Sequence, residues 1–161
     1  MTPVTAVIST HNRRDELRAT LDGLQRLALP GLRILVVDNA STDGTPAMVR
    51  REFPGVTLLP HSDNAPMRGY NLGFAAVRTP YALALDDDSC PRPGAVERLV
   101  ARLEEFPGAG AIAANIVGRD GQSEWGAEGD VDFSAAWFNL IGCGFLVRRD
   151  VLVQTGGYDE D

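Results

Sequence analysis

The sequence predicts an α/β domain in which helices flank a mostly parallel central sheet. From Val4 to Gly108, short apolar segments alternate with segments whose apolar residues recur at helical spacing, a pattern that implies right-handed crossovers between parallel strands. The mostly apolar segment Tyr81–Leu85 has the composition of a strand buried within such a sheet. Polar clusters follow several predicted strands, at the end where open α/β sheets bind ligands.

Three strands and two helices are predicted in the first third of the chain. The strands are expected at Val4–Ser9, Ile34–Val37 and Val56–Leu59. The first helix follows Asn12, which is a suitable N-cap, and ends before Pro30. The second helix begins after Asp43, tolerates a proline in its first turn, and ends near Phe53.

The middle of the chain contains the central strand and two more predicted helices. In His61–Arg78 only Asn71–Val77 is predicted to be helical, because a proline and two glycines make the first half irregular. After the central strand, the helix opened by Pro93 has one apolar face and ends at Pro107.

The composition changes after Gly108. Strands are predicted at 109–118 and Ile141–Val147, with a turn at Asp120-Gly121 before Gln122–Trp125, and a last helix begins at Arg148. Glycines in Ile141–Val147 predict a close approach by a ligand or another part of the backbone. The acidic ending Gly156–Asp161 is an unusual place for a domain to finish, so we expect an incomplete domain.

Composition restricts the classes of partner. The chain has 161 residues, of which 44% are hydrophobic, and this fits one soluble globular domain. The net charge of −7 argues against a nucleic-acid-binding surface, so an anionic ligand would need a metal or local arginines. No apolar run reaches membrane-spanning length, and we expect a cytoplasmic protein, with the inner face of the membrane as an alternative. Cys90 and Cys143 show no metal-ligand spacing.

Three adjacent carboxylates, Asp86, Asp87 and Asp88, follow the central strand. They repel one another, so the arrangement is costly unless a cation or a positively charged partner neutralises it. A lone acidic triplet is more often a solvated turn. The further polar clusters Ser9–Asn12 and Asp38–Asp43, which also lie at strand ends, favour a functional site instead.

The sequence resembles the family 2 glycosyltransferases, which have the GT-A fold, a Rossmann-like nucleotide-diphospho-sugar transferase fold. The resemblance lies in four segments: VISTHNR, VVDNASTDGT, NLGFAAVRTPYALALDDD and GCGFLVRRDVLVQTGGYDED. They occur in the family's order from about Val4 to the last residue. The GGYDED segment matches one that lies well before the end of the family's catalytic domain. The resemblance thus implies one incomplete domain, with 1–108 as the nucleotide-binding half and 109–161 as the start of the acceptor half.

The resemblance implies a divalent cation, Mg²⁺ or Mn²⁺, that neutralises the diphosphate of a sugar nucleotide. Asp88 matches the family's metal ligand. An earlier acid, Asp86 or Asp87, is implied to face the ribose or to assist through metal-bound water. Alternation along a strand would turn Asp86 and Asp88 to the same side, so Asp86 is the second candidate metal ligand.

The resemblance also implies a nucleotide-binding set. Asp38 matches an acid that accepts a hydrogen bond from the imino N–H of uracil, thymine or guanine, with uracil preferred; the alternative is that Asp38 only caps a turn. Thr10 and His11 match the loop near the base, where His11 either stacks on the base or has no role. Arg68 could supply positive charge to the base or diphosphate, or lie on the surface.

The implied reaction is transfer of a sugar, with inversion, to an unknown sugar, lipid-linked or small-molecule acceptor. The family's general base usually lies in a later acidic motif, so no catalytic base is assigned to this chain. The alternative is a non-catalytic nucleotide-binding or assembly module, and an exposed apolar edge could allow self-association. Arg148 and Arg149 are expected to support loops rather than to act in catalysis.

Overall fold

The computed structural model describes residues 2–118, 122–123 and 143–160. Within these ranges, six strands form a single sheet, and five helices pack on it. The strands are β1 Val4–Thr10, β2 Leu32–Asn39, β3 Thr57–His61, β4 Tyr81–Asp86, β5 Ala111–Ala113 and β6 Phe145–Arg148. The helices are α1 Arg14–Arg26, α2 Thr45–Glu52, α3 Pro66–Ala76, α4 Ala95–Glu105 and α5 Arg149–Thr155. The predicted α/β class is confirmed.

The sheet has the strand order β3-β2-β1-β4-β6-β5. The first four strands are parallel, whereas β6 runs antiparallel to β4, and β5 runs antiparallel to β6. In the register of the sheet, Thr10 of β1 lies beside Asp38 of β2, and Ser9 lies beside Asp86 of β4. The carboxyl ends of three neighbouring strands therefore lie side by side.

Two hydrophobic layers cover the two faces of the sheet. One contains residues of α1, α2 and α4, and the other contains residues of α3 together with partly buried residues of α5. Alternation along β1 sends Ile8 into the first layer and Val7 into the second, as expected for a strand covered on both faces. Leu17, Leu21 and Leu24, which share the predicted apolar face of α1, are buried in the first layer.

Helix α3 begins at Pro66, five residues earlier than predicted. Proline is tolerated in the first turn of a helix, and the two glycines that suggested an irregular segment are buried contact points. A Cβ on Gly69 would lie 2.3 Å from Asn39 Oδ1, and one on Gly73 would lie 2.5 Å from a methyl carbon of Val7. These glycines therefore let α3 approach the sheet closely.

The first helix begins at Arg14 rather than directly after Asn12. Asn12 has φ of +52°, and its side chain accepts a hydrogen bond from the backbone N–H of Thr42 in the neighbouring loop (2.7 Å). Asp43 caps both helices instead: one of its oxygens accepts the N–H of Arg14 (3.0 Å), and the other accepts the N–H of Thr45 (3.0 Å). The loops after β1 and β2 are therefore tied to each other.

After Gly108, the structure describes only part of the predicted pattern. Val117 and Ser123 form an antiparallel bridge on either side of the predicted turn. The Asp120-Gly121 turn itself lies outside the described residues, as do 124–142, including the first residues of the strand predicted at 141–147. Gly144 has φ of +73°, and a Cβ there would lie 2.5 Å from Ile116 Cδ1, so the predicted close approach is made by a side chain.

Arg148 and Arg149 support the protein scaffold. Arg148 donates to the backbone carbonyls of Ala109 (2.9 Å) and Leu103 (2.7 Å), and Arg149 donates to that of Val77 (2.9 Å). Across the described parts of the chain, no helix is both long and apolar enough to cross a bilayer.

Candidate functional site

Three of the predicted site residues lie at one edge of the sheet, where β2, β1 and β4 end. Asp38, Thr10 and Asp86 occupy neighbouring positions in the register of these strands. Since adjacent strands are about 4.8 Å apart, the backbones at Asp38 and Asp86 are separated by roughly 10 Å. The polar clusters that were identified separately in the sequence thus meet at this edge.

Asp38 is a buried acid with an incomplete set of hydrogen bonds. Its side chain is 5% exposed, and its Oδ2 accepts the backbone N–H of Ser41 at 3.3 Å. Its Oδ1 has no hydrogen-bond partner in the structure as described. A buried oxygen without a donor costs about 1–3 kcal/mol, so this atom is suited to accept a hydrogen bond from a ligand.

Asp86 is exposed, and a buried tyrosine orients its carboxylate. The single hydroxyl proton of Tyr70 is shared between the backbone carbonyl of Leu85 at 2.8 Å and Asp86 Oδ1 at 3.2 Å. Burial, reinforced by the negative charge of Asp86, raises the pKa of Tyr70 well above its ordinary value of 10.0, so its hydroxyl stays protonated and remains a donor. Asp86 Oδ1 therefore has a fixed partner on the side of the sheet covered by α3.

Asp87 points toward the loop between β1 and α1. Its Oδ2 accepts the hydroxyl of Thr10 at 2.7 Å, its Oδ1 lies 3.1 Å from Arg13 Nε, and its carbonyl accepts the hydroxyl of Thr20 at 2.8 Å. Burial raises the pKa of Asp87, and the hydrogen bond from Thr10 and the charge of Arg13 act in the opposite direction. Both carboxylate oxygens are therefore occupied by the protein, and Asp87 supports this loop.

Asp88 is exposed and forms an ion pair with Arg13. Its Oδ2 lies 2.6 Å from Arg13 Nη2, and the two side chains are 47% and 44% exposed, respectively. The described residues contain no group of three or more His, Cys, Asp or Glu side chains arranged to hold a metal. Asp86 and Asp88 nevertheless present hard oxygen ligands to solvent, and Mg²⁺ is often bound by one or two carboxylates together with substrate phosphates.

His11 is half-buried and has partners on both ring nitrogens. Its Nδ1 lies 2.6 Å from the carbonyl of Asn39, and its Nε2 lies 3.1 Å from Asn12 Nδ2. The carbonyl requires a proton on Nδ1, and the amide can then donate to Nε2. Any contact between His11 and a nucleotide base would therefore use the face of the ring.

Arg68 lies in the first turn of α3 and forms an ion pair with an acid of the preceding loop. Its Nη2 is 3.2 Å from Asp63 Oδ2, and the arginine side chain is 54% exposed. The ion pair thus joins the start of α3 to the preceding loop rather than to the acids that follow β4.

The sequence did not identify four residues that shape this edge. The sequence predicted that the three acids need a positively charged partner, and Arg13 is that partner. The residues around Arg13 gave no reason to choose it over Arg14. Asn39 lies buried beside Asp38 and donates to Ser9 Oγ at 2.7 Å. Tyr70 showed no pattern that pointed to Asp86. The fourth residue, Asn71, has its partners 87 or more positions away in the chain.

Asn71 fixes the segment after α5 against α3. Its Oδ1 accepts the backbone N–H of Tyr158 at 2.7 Å, while its Nδ2 donates to the carbonyl of Tyr158 at 2.9 Å and to Glu160 Oε1 at 2.8 Å. The ring of Tyr158 then lies with its centroid 5.6 Å from that of Tyr70. This segment is therefore packed against the residue that orients Asp86.

Two shallow cavities lie elsewhere on the protein. One, of about 320 Å³, is bordered by α3 and α5, and the other, of about 410 Å³, lies at the start of β4 near Arg148. Neither is lined by Asp38 or by the three acids.

Comparison with known proteins adds independent information. The family model described as Glycosyl transferase family 2 matches residues 5–155. The succinoglycan biosynthesis protein ExoO of Rhizobium meliloti is 30% identical over 126 residues, covering 74% of this chain and 35% of ExoO. The probable glycosyltransferase YdaM of Bacillus subtilis is 28% identical over 184 aligned residues, covering 98% of this chain and 43% of YdaM. The chain therefore spans less than half the length of these relatives.

Solved structures show the same fold. A mannosyltransferase from Pyrobaculum calidifontis, in complex with GDP-Man and Mn²⁺, matches with a TM-score of 0.81 and 24% identity, covering 99% of this chain and 48% of the other. S. aureus TarS 1–349 in complex with UDP matches with a TM-score of 0.79 and 16% identity, covering 98% and 50%. The predicted GT-A fold is confirmed. Because the family model covers nearly the whole sequence, the chain belongs to glycosyl transferase family 2.

Proposed function

We propose that this chain binds a nucleoside-diphospho-sugar through a divalent cation and forms the donor-binding part of an inverting glycosyltransferase. One observation carries the proposal: the unpartnered buried oxygen of Asp38 lies at the same sheet edge as the exposed carboxylates of Asp86 and Asp88. In this proposal, 1–108 is the nucleotide-binding half, and 109–161 begins the acceptor half.

Asp38 recognises the base. Its free Oδ1 accepts an imino N–H, which uracil, thymine and guanine offer at the pairing edge and which adenine and cytosine lack. The structural neighbours that were solved with UDP and with GDP-Man contain bases of the first kind, and this supports the assignment. We take uracil as the first choice. Thr10 and His11 complete the base-binding region, with Thr10 acting through the Asp87 that it supports.

Asp86 and Asp88 face the ribose and the diphosphate. Asp88, with Asp86, would hold Mg²⁺ or Mn²⁺, which would neutralise charge on the diphosphate leaving group. The Mn²⁺ in the complex of the mannosyltransferase neighbour supports this choice of cofactor. Tyr70 holds Asp86 in a fixed orientation. Arg68, which pairs with Asp63 at the surface, would add positive charge for the base or the diphosphate.

The acceptor is a hydroxyl of a sugar, a lipid-linked sugar or a small molecule. A relative from Mycobacterium tuberculosis, 29% identical over 138 residues, is named as an N-acetylglucosaminyl-diphospho-decaprenol L-rhamnosyltransferase, which favours a lipid-linked acceptor. An inverting displacement needs a base for the acceptor hydroxyl. We assign that base to no residue of this chain.

Isothermal titration calorimetry tests the donor assignment. We expect UDP or GDP to bind in the presence of Mn²⁺ at least tenfold more tightly than ADP or CDP, and the difference to shrink in Asp38→Ala. Asp88→Ala should remove the dependence on Mn²⁺. Asp150→Ala, an exposed acid in α5, is the matched control and should leave binding unchanged. Equal affinity for all four nucleotides, or binding unaffected by both site variants, would refute the proposal.

A further inference from the structure

Arg13 contacts two of the three acids, and the two contacts differ in their exposure to solvent. Its Nε lies 3.1 Å from Asp87 Oδ1, and its Nη2 lies 2.6 Å from Asp88 Oδ2. The side chain of Asp87 is 8% exposed, whereas that of Asp88 is 47% exposed. The guanidinium group therefore links an acid fixed inside the protein to an acid in contact with water.

The contact with Asp87 is the more firmly held of the two. The second oxygen of Asp87 accepts the hydroxyl of Thr10, so the carboxylate cannot turn away from Arg13 without losing another hydrogen bond. Separating a buried pair leaves a buried charge without compensation, whereas an exposed pair contributes little and is screened by water. Asp88 is therefore the partner that Arg13 loses first.

Asp88 is also the acid that we assign to the divalent cation, so this inference rests on the proposed function. Arg13 Nη2 and a cation would compete for the same carboxylate, since two positive groups close together repel each other. Once released from Asp88, Arg13 would keep its ion pair with Asp87 and the more distant negative charge of Glu16. The guanidinium group would thus remain at the edge of the sheet.

We propose that Arg13 is a displaceable counter-ion of Asp88. It neutralises Asp88 in the donor-free protein, competes with the divalent cation for that carboxylate, and stays attached through Asp87 when the cation binds. The N–H groups of Nη2 then become free to donate to the diphosphate, whose oxygens suit the planar fork of a guanidinium. Arg13 thus acts on the cation site through Asp88 and, once released, on the diphosphate directly.

Binding of Mn²⁺, followed by the electron paramagnetic resonance signal of the free ion, tests the proposal with and without UDP. Arg13→Gln removes the competing charge. Arg13→Lys retains a partner for the buried Asp87 in case the glutamine variant does not fold, but its single ammonium cannot span both acids as the guanidinium does. Arg14→Gln is the matched control, because Arg14 is 45% exposed and pairs with Asp15 instead. Asp88→Asn reports whether the cation uses this acid.

We expect Mn²⁺ without UDP to bind roughly two- to five-fold more tightly to both Arg13 variants, the affinity equivalent of one exposed ion pair, and unchanged to Arg14→Gln. The gain should disappear when Asp88→Asn is added. Unchanged or weaker Mn²⁺ binding in the folded Arg13 variants would overturn the role of Arg13 alone, provided that Asp88→Asn still abolishes binding. Absence of Mn²⁺ binding in every variant, even with UDP, would overturn the cation site and this inference together.

Discussion

Replacement of Gly69 by alanine tests whether the contact between α3 and the sheet positions the site. A Cβ at Gly69 would lie 2.3 Å from Asn39 Oδ1 and 3.1 Å from Asn39 Cγ, so either the asparagine or the helix must move. Asn39 is 1% exposed and donates to Ser9 Oγ at 2.7 Å and to the carbonyl of Thr10 at 3.1 Å. The added methyl group therefore acts on the residue next to Asp38.

The magnitude follows from three contributions. Overpacking costs about 1–3 kcal/mol, and loss of the two hydrogen bonds of Asn39 costs roughly 1–3 kcal/mol in total. Alanine is favoured over glycine within a helix by about 1 kcal/mol. We expect a net loss of about 1–5 kcal/mol in the free energy of unfolding, which corresponds to a decrease in Tm of roughly 2–20 °C for a chain of this size.

Urea unfolding followed by circular dichroism measures this loss, and UDP titration measures its effect on the site. Gly23→Ala in α1 is the matched control: its Cβ would lie 2.7 Å from Cys90 Sγ, the free end of an exposed side chain that can rotate away. We expect that variant to change stability by less than about 1 kcal/mol. Asn39→Ala should relieve the clash and recover part of the loss in a Gly69→Ala background, as a non-additive double mutant. A Gly69→Ala protein as stable as the parent would refute the reasoning.

Three further predictions concern Tyr70, Asn71 and the pH dependence of Asp43 and Asp87. Tyr70→Phe should reduce stability by about 0.5–1.5 kcal/mol. Because Tyr70 orients Asp86, the same variant should weaken Mn²⁺-dependent UDP binding. Tyr81→Phe, which removes a hydroxyl remote from the three acids, should leave UDP binding unchanged. Asn71→Ala should release the segment after α5, detected as faster hydrogen exchange at the amide of Tyr158, while Leu72→Ala on the exposed side of α3 should not. Burial raises the pKa of Asp43, but hydrogen bonds from Thr45 and Arg14 outweigh this effect and leave the pKa below the ordinary value of 3.8. The ionised Asp43 carboxylate therefore stabilises the fold, and this stabilisation should be lost as pH falls below about 4. Urea unfolding of the parent and of Asp43→Asn at several pH values measures the loss. Burial raises the pKa of Asp87, so its pH dependence should have the opposite sign. The free energy of unfolding of the parent, relative to that of Asp87→Asn, should decrease as pH rises above about 4. Parallel pH profiles for the two variants would contradict this last prediction.

The sequence predicted the features of the fold that depend on local periodicity. The apolar residues of β1, β2 and β4 and the apolar face of α1 mark those elements regardless of the rest of the chain. The predicted start of α3 was wrong because glycines usually disfavour a helix. Only the structure shows that Gly69 and Gly73 are the points where this helix contacts the sheet. The antiparallel direction of β6 was not predicted, since strand direction depends on the path of the chain and not on the strand's own residues.

The candidate site was predictable only in part, for a related reason. Acids at strand ends indicate an edge, and the topology brings Asp38 and Asp86 there. The partners of those acids come from distant positions: Tyr70 lies 16 residues before Asp86, and Arg13 lies 75 residues before Asp88. Charge repulsion predicts that the acids need a positive partner, but it cannot select Arg13 from 15 basic residues. Which arginine contacts the acids depends on the path of the loop between β1 and α1, and this path is known only from the structure.

Three consecutive carboxylates can be tolerated here because the first turns away from the second and an arginine contacts the second and third together. Asp86 turns toward Tyr70 on one side, whereas Asp87 turns toward Thr10 and Arg13 on the other. The repulsion that would be largest, between Asp87 and its two neighbours, is offset by an arginine that contacts Asp87 and Asp88 together. Because Asp87 is satisfied inside the protein, Asp86 and Asp88 can remain exposed to solvent. The same division that stabilises the triplet thus leaves two carboxylates available for a ligand.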